Sequence, residues 1–214
     1  MNDATNATET MASQSEASTR IEAWAGEVRV NLIRLAALAM FYSYHVLNAF
    51  VINDVLALRG RFHQTVSLVV FVWAAGAVLL HVVLARRLMR PSLPLTIVAW
   101  DIVMVTALLC VCENPRSMVV TAYFLIIASA SLRFSLPPVY LSVVGSLMGY
   151  LVFLGHTRYV LQVAEELRVP QTNQIVFGIA LLVAGLLAGQ SVRQVRRIAA
   201  RGLAPVLPAN REQQ

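Results

Sequence analysis

The chain has 214 residues, 58% of them hydrophobic and only 13% charged, with a net charge of +6 and a mean hydropathy of +0.67. A soluble domain carries about 25% charged residues, so a disordered chain, a disulfide scaffold and an ordinary cytosolic enzyme are excluded. The apolar residues gather in six blocks, each long enough to cross a hydrocarbon core of about 30 Å, which leaves too few residues for a soluble catalytic domain.

Residues 1–19 are mostly Asn, Ala, Thr, Ser and Glu, and read as a disordered cytoplasmic tail. No apolar region follows promptly enough for a signal peptide. From 20 to 31 the pattern becomes helical: Ile21, Trp24, Val28, Leu32 and Leu35 share one face, with Glu22, Glu27 and Arg29 on others. This predicts a short interfacial amphipathic helix, with Trp24 at headgroup level, leading into the membrane domain at 32–191.

Spans are predicted at 32–52, 66–85, 93–112, 118–135, 137–155 and 174–191. Pro91, Pro94, Pro115, Pro137, Pro138 and Pro170 fall at or near their ends, where a missing amide costs little. The fifth connection carries Tyr159, Val160, Val163, Ala164 and Leu167 at helical spacing, which predicts a short surface helix. Residues 192–214 form a basic cytoplasmic extension. The expected architecture is all-α: a polytopic membrane protein of six transmembrane helices in three antiparallel hairpins.

Every one of the 17 basic residues is arginine. Five (Arg59, Arg61, Arg116, Arg158 and Arg168) fall on one side of the spans and the rest on the side of the termini. The arginine-rich side is cytoplasmic, so both termini are expected there, with the bacterial inner membrane as the expected location. The lipid bilayer is the first expected partner; the positive charge is explained by topology, and no nucleic acid is needed.

Small residues at Gly145 and Gly149, and at Gly185 and Gly189, form two GxxxG pairs. They predict close packing between the fifth and sixth spans or, alternatively, a homodimer seam.

Polar residues inside the spans carry the functional expectation. Asp101 lies about 12 Å into the third span, at 1.5 Å per residue, where a carboxylate must be paired or protonated. Folding the third and fourth spans about Pro115 brings it level with Ser129, with Arg133 one turn beyond. Tyr42, His45 and Asn48 form a stripe in the first span, and Tyr42 is expected at the depth of Asp101. This set is the candidate ligand- or proton-binding site. His63 and His156 are expected at the outer span ends and His81 at an inner end. None shares a helix with another at ligand spacing, so no metal site and no cofactor is expected. Cys110 and Cys112 read as packing residues, and no Walker, HExxH or nucleophile–base motif is present, so no enzyme activity is expected.

The run from Asp101 to Phe134 resembles the middle of the six-helix membrane input modules that precede bacterial histidine kinases and nucleotide cyclases. Asp101, Ser117, Tyr123 and the triplet Leu132-Arg133-Phe134 carry the resemblance, which extends over about residues 30–195. Glu113-Asn114-Pro115-Arg116 departs from it, standing where a glycine pair is common. Ser191–Gly202 begins like the helical linker of such modules, but no output domain follows Ala204, as in a stand-alone module or a piece of a longer product. The resemblance implies a non-enzymatic sensor that signals through its last helix to a cytoplasmic partner. A small transporter built on Asp101, and a haem- or quinone-associated subunit of a redox complex, are the alternatives.

The arginine distribution sets a labelling test. In a background lacking Cys110 and Cys112, cysteines placed at Arg87 and Gln194 should be shielded from impermeant thiol reagents outside intact cells. One at Gln171 should react, and external labelling at Arg87 would reverse the orientation.

Overall fold

The computed structural model describes residues 2–47, 60–86, 92–112, 117–162 and 169–203, with side chains at 24–47, 63–86, 92–112, 117–162 and 169–198. All regular structure among them is helical. Six α-helices follow in order: α1 (Asn2–Leu47), α2 (Gly60–Ala85), α3 (Leu93–Val111), α4 (Ala122–Ser131), α5 (Leu136–Gly155) and α6 (Gln171–Leu203). Five of the helices hold stretches long and apolar enough to cross a membrane, namely Trp24–Leu47, His63–Ala85, Leu93–Val111, Leu136–Val160 and Gln171–Ile198. Met118–Ser131 is a shorter apolar helix. Large apolar side chains stand exposed along them, such as Phe71 at 72% and Leu186 at 68%. Such surfaces suit lipid rather than water, and this is the build of an integral membrane protein.

The chain divides into two compact units, Met1–Pro94 and Leu95–Gln214. In the first, α1 and α2 pack side by side. Trp24, Asn31, Leu38 and His45 recur every seven residues on α1. Trp24 Nε1 donates to the Leu84 carbonyl at 2.8 Å, Asn31 Nδ2 donates to the Ala77 carbonyl at 3.0 Å, and His45 meets His63. Each advance of seven along α1 is matched by a retreat of seven along α2. The two helices are therefore antiparallel and share a heptad seam, whose periodicity keeps one face of each turned to the other.

Two expectations are corrected here. The segment 1–19, read as a disordered tail, is helical from Asn2; no Pro or Gly interrupts residues 1–25, and Ala and Glu favour helix. The interfacial helix at 20–31 is not a separate element, since α1 is continuous through it. Glu27, expected on a different face from Trp24, is 3% exposed, because it sits one turn beyond Trp24 on the seam. Asn31 is fully buried, and its Oδ1 accepts from Arg34 Nη1 at 2.9 Å.

In the second unit, Ile102 and Thr106 of α3 stand opposite Gly145 and Gly149 of α5, four residues against four in the same direction, so these helices are parallel neighbours. Val143 stands opposite Gly185, and the Tyr150 and Phe177 ring centroids are 4.7 Å apart, which sets α5 and α6 antiparallel. Phe124 of α4 packs edge-on against the same Phe177, at 5.4 Å. The expected close packing of α5 and α6 is present at Gly185, but the role of the first glycine pair is corrected: Gly145 and Gly149 admit α3, with Tyr123 of α4 also at Gly149. A side chain at Gly189 would meet nothing within 4 Å.

The fourth span is shorter than the predicted 118–135. A 3-10 turn at Met118–Thr121, capped by Ser117, leads into α4, which ends at Ser131. Phe134 then takes a left-handed conformation, φ 50°, which stops the helix before Pro137 and Pro138 open α5. On the far side, α5 runs on as a π-helical turn, His156–Val160, so Tyr159 and Val160 prolong the fifth helix instead of starting a surface helix. The rest of that expected surface helix, Val163, Ala164 and Leu167, lies outside the described residues.

Leucine at Gly149 or Gly185 should lower the melting stability in detergent by about 1–3 kcal/mol, the usual range for an overpacked contact. Leucine at Gly189 should change it by less than about 0.5 kcal/mol. Thermal unfolding of the three variants checks the ranking.

Candidate functional site

The predicted site residues fall into separate units. Tyr42 and His45 belong to the first, whereas Asp101, Ser129 and Arg133 belong to the second. Asn48 lies outside the described residues.

In the first unit the stripe on α1 turns toward α2. His45 Nε2 lies 3.1 Å from His63 Nδ1, within hydrogen-bonding distance, and Tyr42 Oη lies 3.3 Å from Ser67 Oγ. The imidazole planes are within 11° of each other and the ring centroids are 5.2 Å apart. Subtracting the N···N distance of 3.1 Å from the 5.2 Å separation leaves 2.1 Å, about two ring radii. The rings therefore meet edge to edge, close to one plane, with an N–H of one aimed at the lone pair of the other. Beside them a pocket of about 570 Å³ is lined by Tyr42, His63, Gln64, Ser67, Phe71 and neighbouring apolar residues. The sequence placed His63 only at a span end and omitted Ser67; the seven-residue repeat of polar and bulky positions was the signal for the facing pair. His81, on the same helix, is exposed.

In the second unit Asp101 lies at the middle of α3 and is 4% exposed, on the same buried face as Val98, Ile102 and Val105. Its predicted burial among helices is therefore correct. The donor proposed for it is not: Ser129 Oγ gives its hydrogen to the Ile126 carbonyl at 2.9 Å, within its own helix. A serine in a helix interior reaches the carbonyl one turn back more readily than a neighbour. Arg133 is half-buried in the turn that follows α4. Around this region α5 contributes two buried serines that sequence reasoning did not select. Ser142 Oγ bonds to the Val139 carbonyl, and Ser146 Oγ is buried with no hydrogen bond among the described residues.

Nearer the other end of α3, Thr106 Oγ1 bonds to the Ile102 carbonyl at 2.7 Å and lies 2.8 Å from Tyr123 Oη, which is fully buried. Folding the chain about Pro115 brings Thr106 within one residue of level with Tyr123, so this pair was nearly legible. A pocket of about 440 Å³ lies between Ser117, Val120, Tyr150, Phe153, Asn173 and Phe177.

Among the described residues no three His, Cys, Asp or Glu side chains converge as a metal-binding group, and Cys110 and Cys112 are free thiols. Set against protein-family models, curated proteins and solved structures, the chain matches none of them. The two units thus hold different chemistry: an imidazole pair in one and a buried carboxyl in the other.

Replacing Thr106 by Val should cost about 1–3 kcal/mol, because Tyr123 Oη loses its partner in the interior. Replacing Ser129 by Ala should cost less than about 1 kcal/mol, since only a bond within one helix is removed. Unfolding of both variants in one detergent measures the difference.

Proposed function

We propose that the chain is a non-enzymatic integral membrane sensor or signalling subunit. It has six spans in three antiparallel hairpins and both termini in the cytoplasm of a bacterial inner membrane. It passes a change within its helices along α6 to a cytoplasmic partner or a second copy.

One observation carries this assignment. Helix α6 is unbroken for 33 residues, about 50 Å at 1.5 Å per residue, some 20 Å more than a hydrocarbon core needs. Val192 is buried, but every residue from Arg193 to Ile198 is exposed, with Val195 and Ile198 among the exposed apolar ones. The base of this rod is tied to the start of α5, where Arg193 Nη2 donates to Tyr140 Oη at 2.8 Å. A displacement of α5 against α6 is thus delivered to an exposed helical face, and continuous hydrogen bonding along the rod preserves its phase. Asp101, on the buried face of α3, lies on the helix that packs against the glycines of α5, and its protonation or pairing is a natural origin for such a displacement.

A fusion series tests this. With a dimerisation-dependent reporter domain joined after Gly202 through zero to seven added alanines, output should rise and fall with the helical period of 3.6 residues. Asp101→Asn should shift the level of that output while leaving the amount of folded, membrane-inserted protein unchanged. Output that is flat across the series and indifferent to Asp101→Asn defeats the sensor assignment.

A further inference from the structure

The geometry points to a transition-metal site of the zinc type between α1 and α2, with His45 Nε2 and His63 Nδ1 as its two protein ligands. The pair comes from facing positions of the heptad seam, so the backbones of two helices hold the two nitrogens at a fixed separation. That separation, 3.1 Å, matches what a single ion requires. Zinc–imidazole bonds of about 2.0–2.1 Å put two ligand nitrogens roughly 2.9 Å apart at a right angle and roughly 3.4 Å apart at a tetrahedral one. A turn of each ring about its own bond, with a change of a few tenths of an ångström, converts the N–H···N contact into a chelate. The inner proton moves to the outer nitrogen of its ring, so two neutral imidazoles present two lone pairs with no net proton released. No third His, Cys, Asp or Glu joins them among the described residues. Water from the adjoining pocket, which Gln64 and Ser67 also line, completes the coordination. Open zinc sites likewise keep water at a position that no protein ligand fills.

The competing role for the pair is a helix fastener, a single hydrogen bond between two spans. Binding measurements separate the two roles without reference to any signalling output, so loss of the sensor assignment would leave this site standing. The full chain, purified in detergent without a polyhistidine tag and stripped with chelator, is titrated with zinc chloride by calorimetry, and its metal content is measured after desalting. One saturable equivalent per chain is expected, together with a rise in melting temperature, because the ion binds the folded pair and not the unfolded chain. His45→Gln and His63→Gln keep a hydrogen-bonding side chain and should fold; each should weaken zinc binding at least ~10-fold and abolish the melting shift. His81→Ala, on an exposed position of α2, should behave as wild type. Wild-type protein that takes up no zinc saturably, or that binds it equally well after either glutamine substitution, overturns the site and leaves the fastener.

Discussion

A polar side chain on a helix in hydrocarbon has no water to fall back on, so it must find its partner on another helix or on its own backbone. In the first unit this requirement decides which faces of α1 and α2 meet. Trp24 and Asn31 donate to carbonyls of α2 and His45 shares a hydrogen bond with His63, at positions spaced by multiples of seven. Apolar residues alone would leave the rotation of two such helices loosely determined, because lipid tails are as apolar as a leucine face. Three directed bonds at heptad spacing fix both rotation and register. A shift by one residue would leave all three bonds without their partners on α2.

The second unit is organised by size more than by polarity. Gly145, Gly149 and Gly185 stand where Ile102, Thr106, Tyr123 and Val143 come so close that a Cβ at those positions would force a neighbouring side chain to shift. The close approach brings the Thr106 and Tyr123 hydroxyls together in the interior. It also seals the face of α3 on which Asp101 lies. Helix α4 is the shortest of the apolar helices, ended by the left-handed turn at Phe134, which places Arg133 in a turn instead of within a span. An arginine there has a shorter path to the headgroup region than one inside a helix.

The residues that invite a functional interpretation are thus held in two different ways. The imidazole pair sits on a two-helix seam, where its contact is itself one of the bonds that hold the helices. The carboxyl of Asp101 sits within a four-helix unit in which Ser129, the donor its depth suggested, bonds within its own helix. Helix α6 belongs to that same unit, and its side chains from Arg193 to Ile198 are exposed. The two sites accordingly call for separate experiments on separate residues.

Composition and block length determined on their own that the chain is helical and fit for a membrane, because crossing about 30 Å of hydrocarbon demands runs of apolar residues that nothing else requires. Proline positions likewise marked helix ends, and Asp101 declared its burial, since a charged group amid twenty apolar residues has no other favourable place. Which faces met was decided only in the tertiary structure. Glu27 and the histidine pair are in plain view in the sequence, yet their seam exists only once two distant segments align. The partners of the glycines were hidden for the same reason: GxxxG states that something approaches closely, and only packing says that it is α3. Spacing along a chain fixes the geometry within one helix. Contacts between helices depend on rotation and register, which are collective properties of every side chain along the seam.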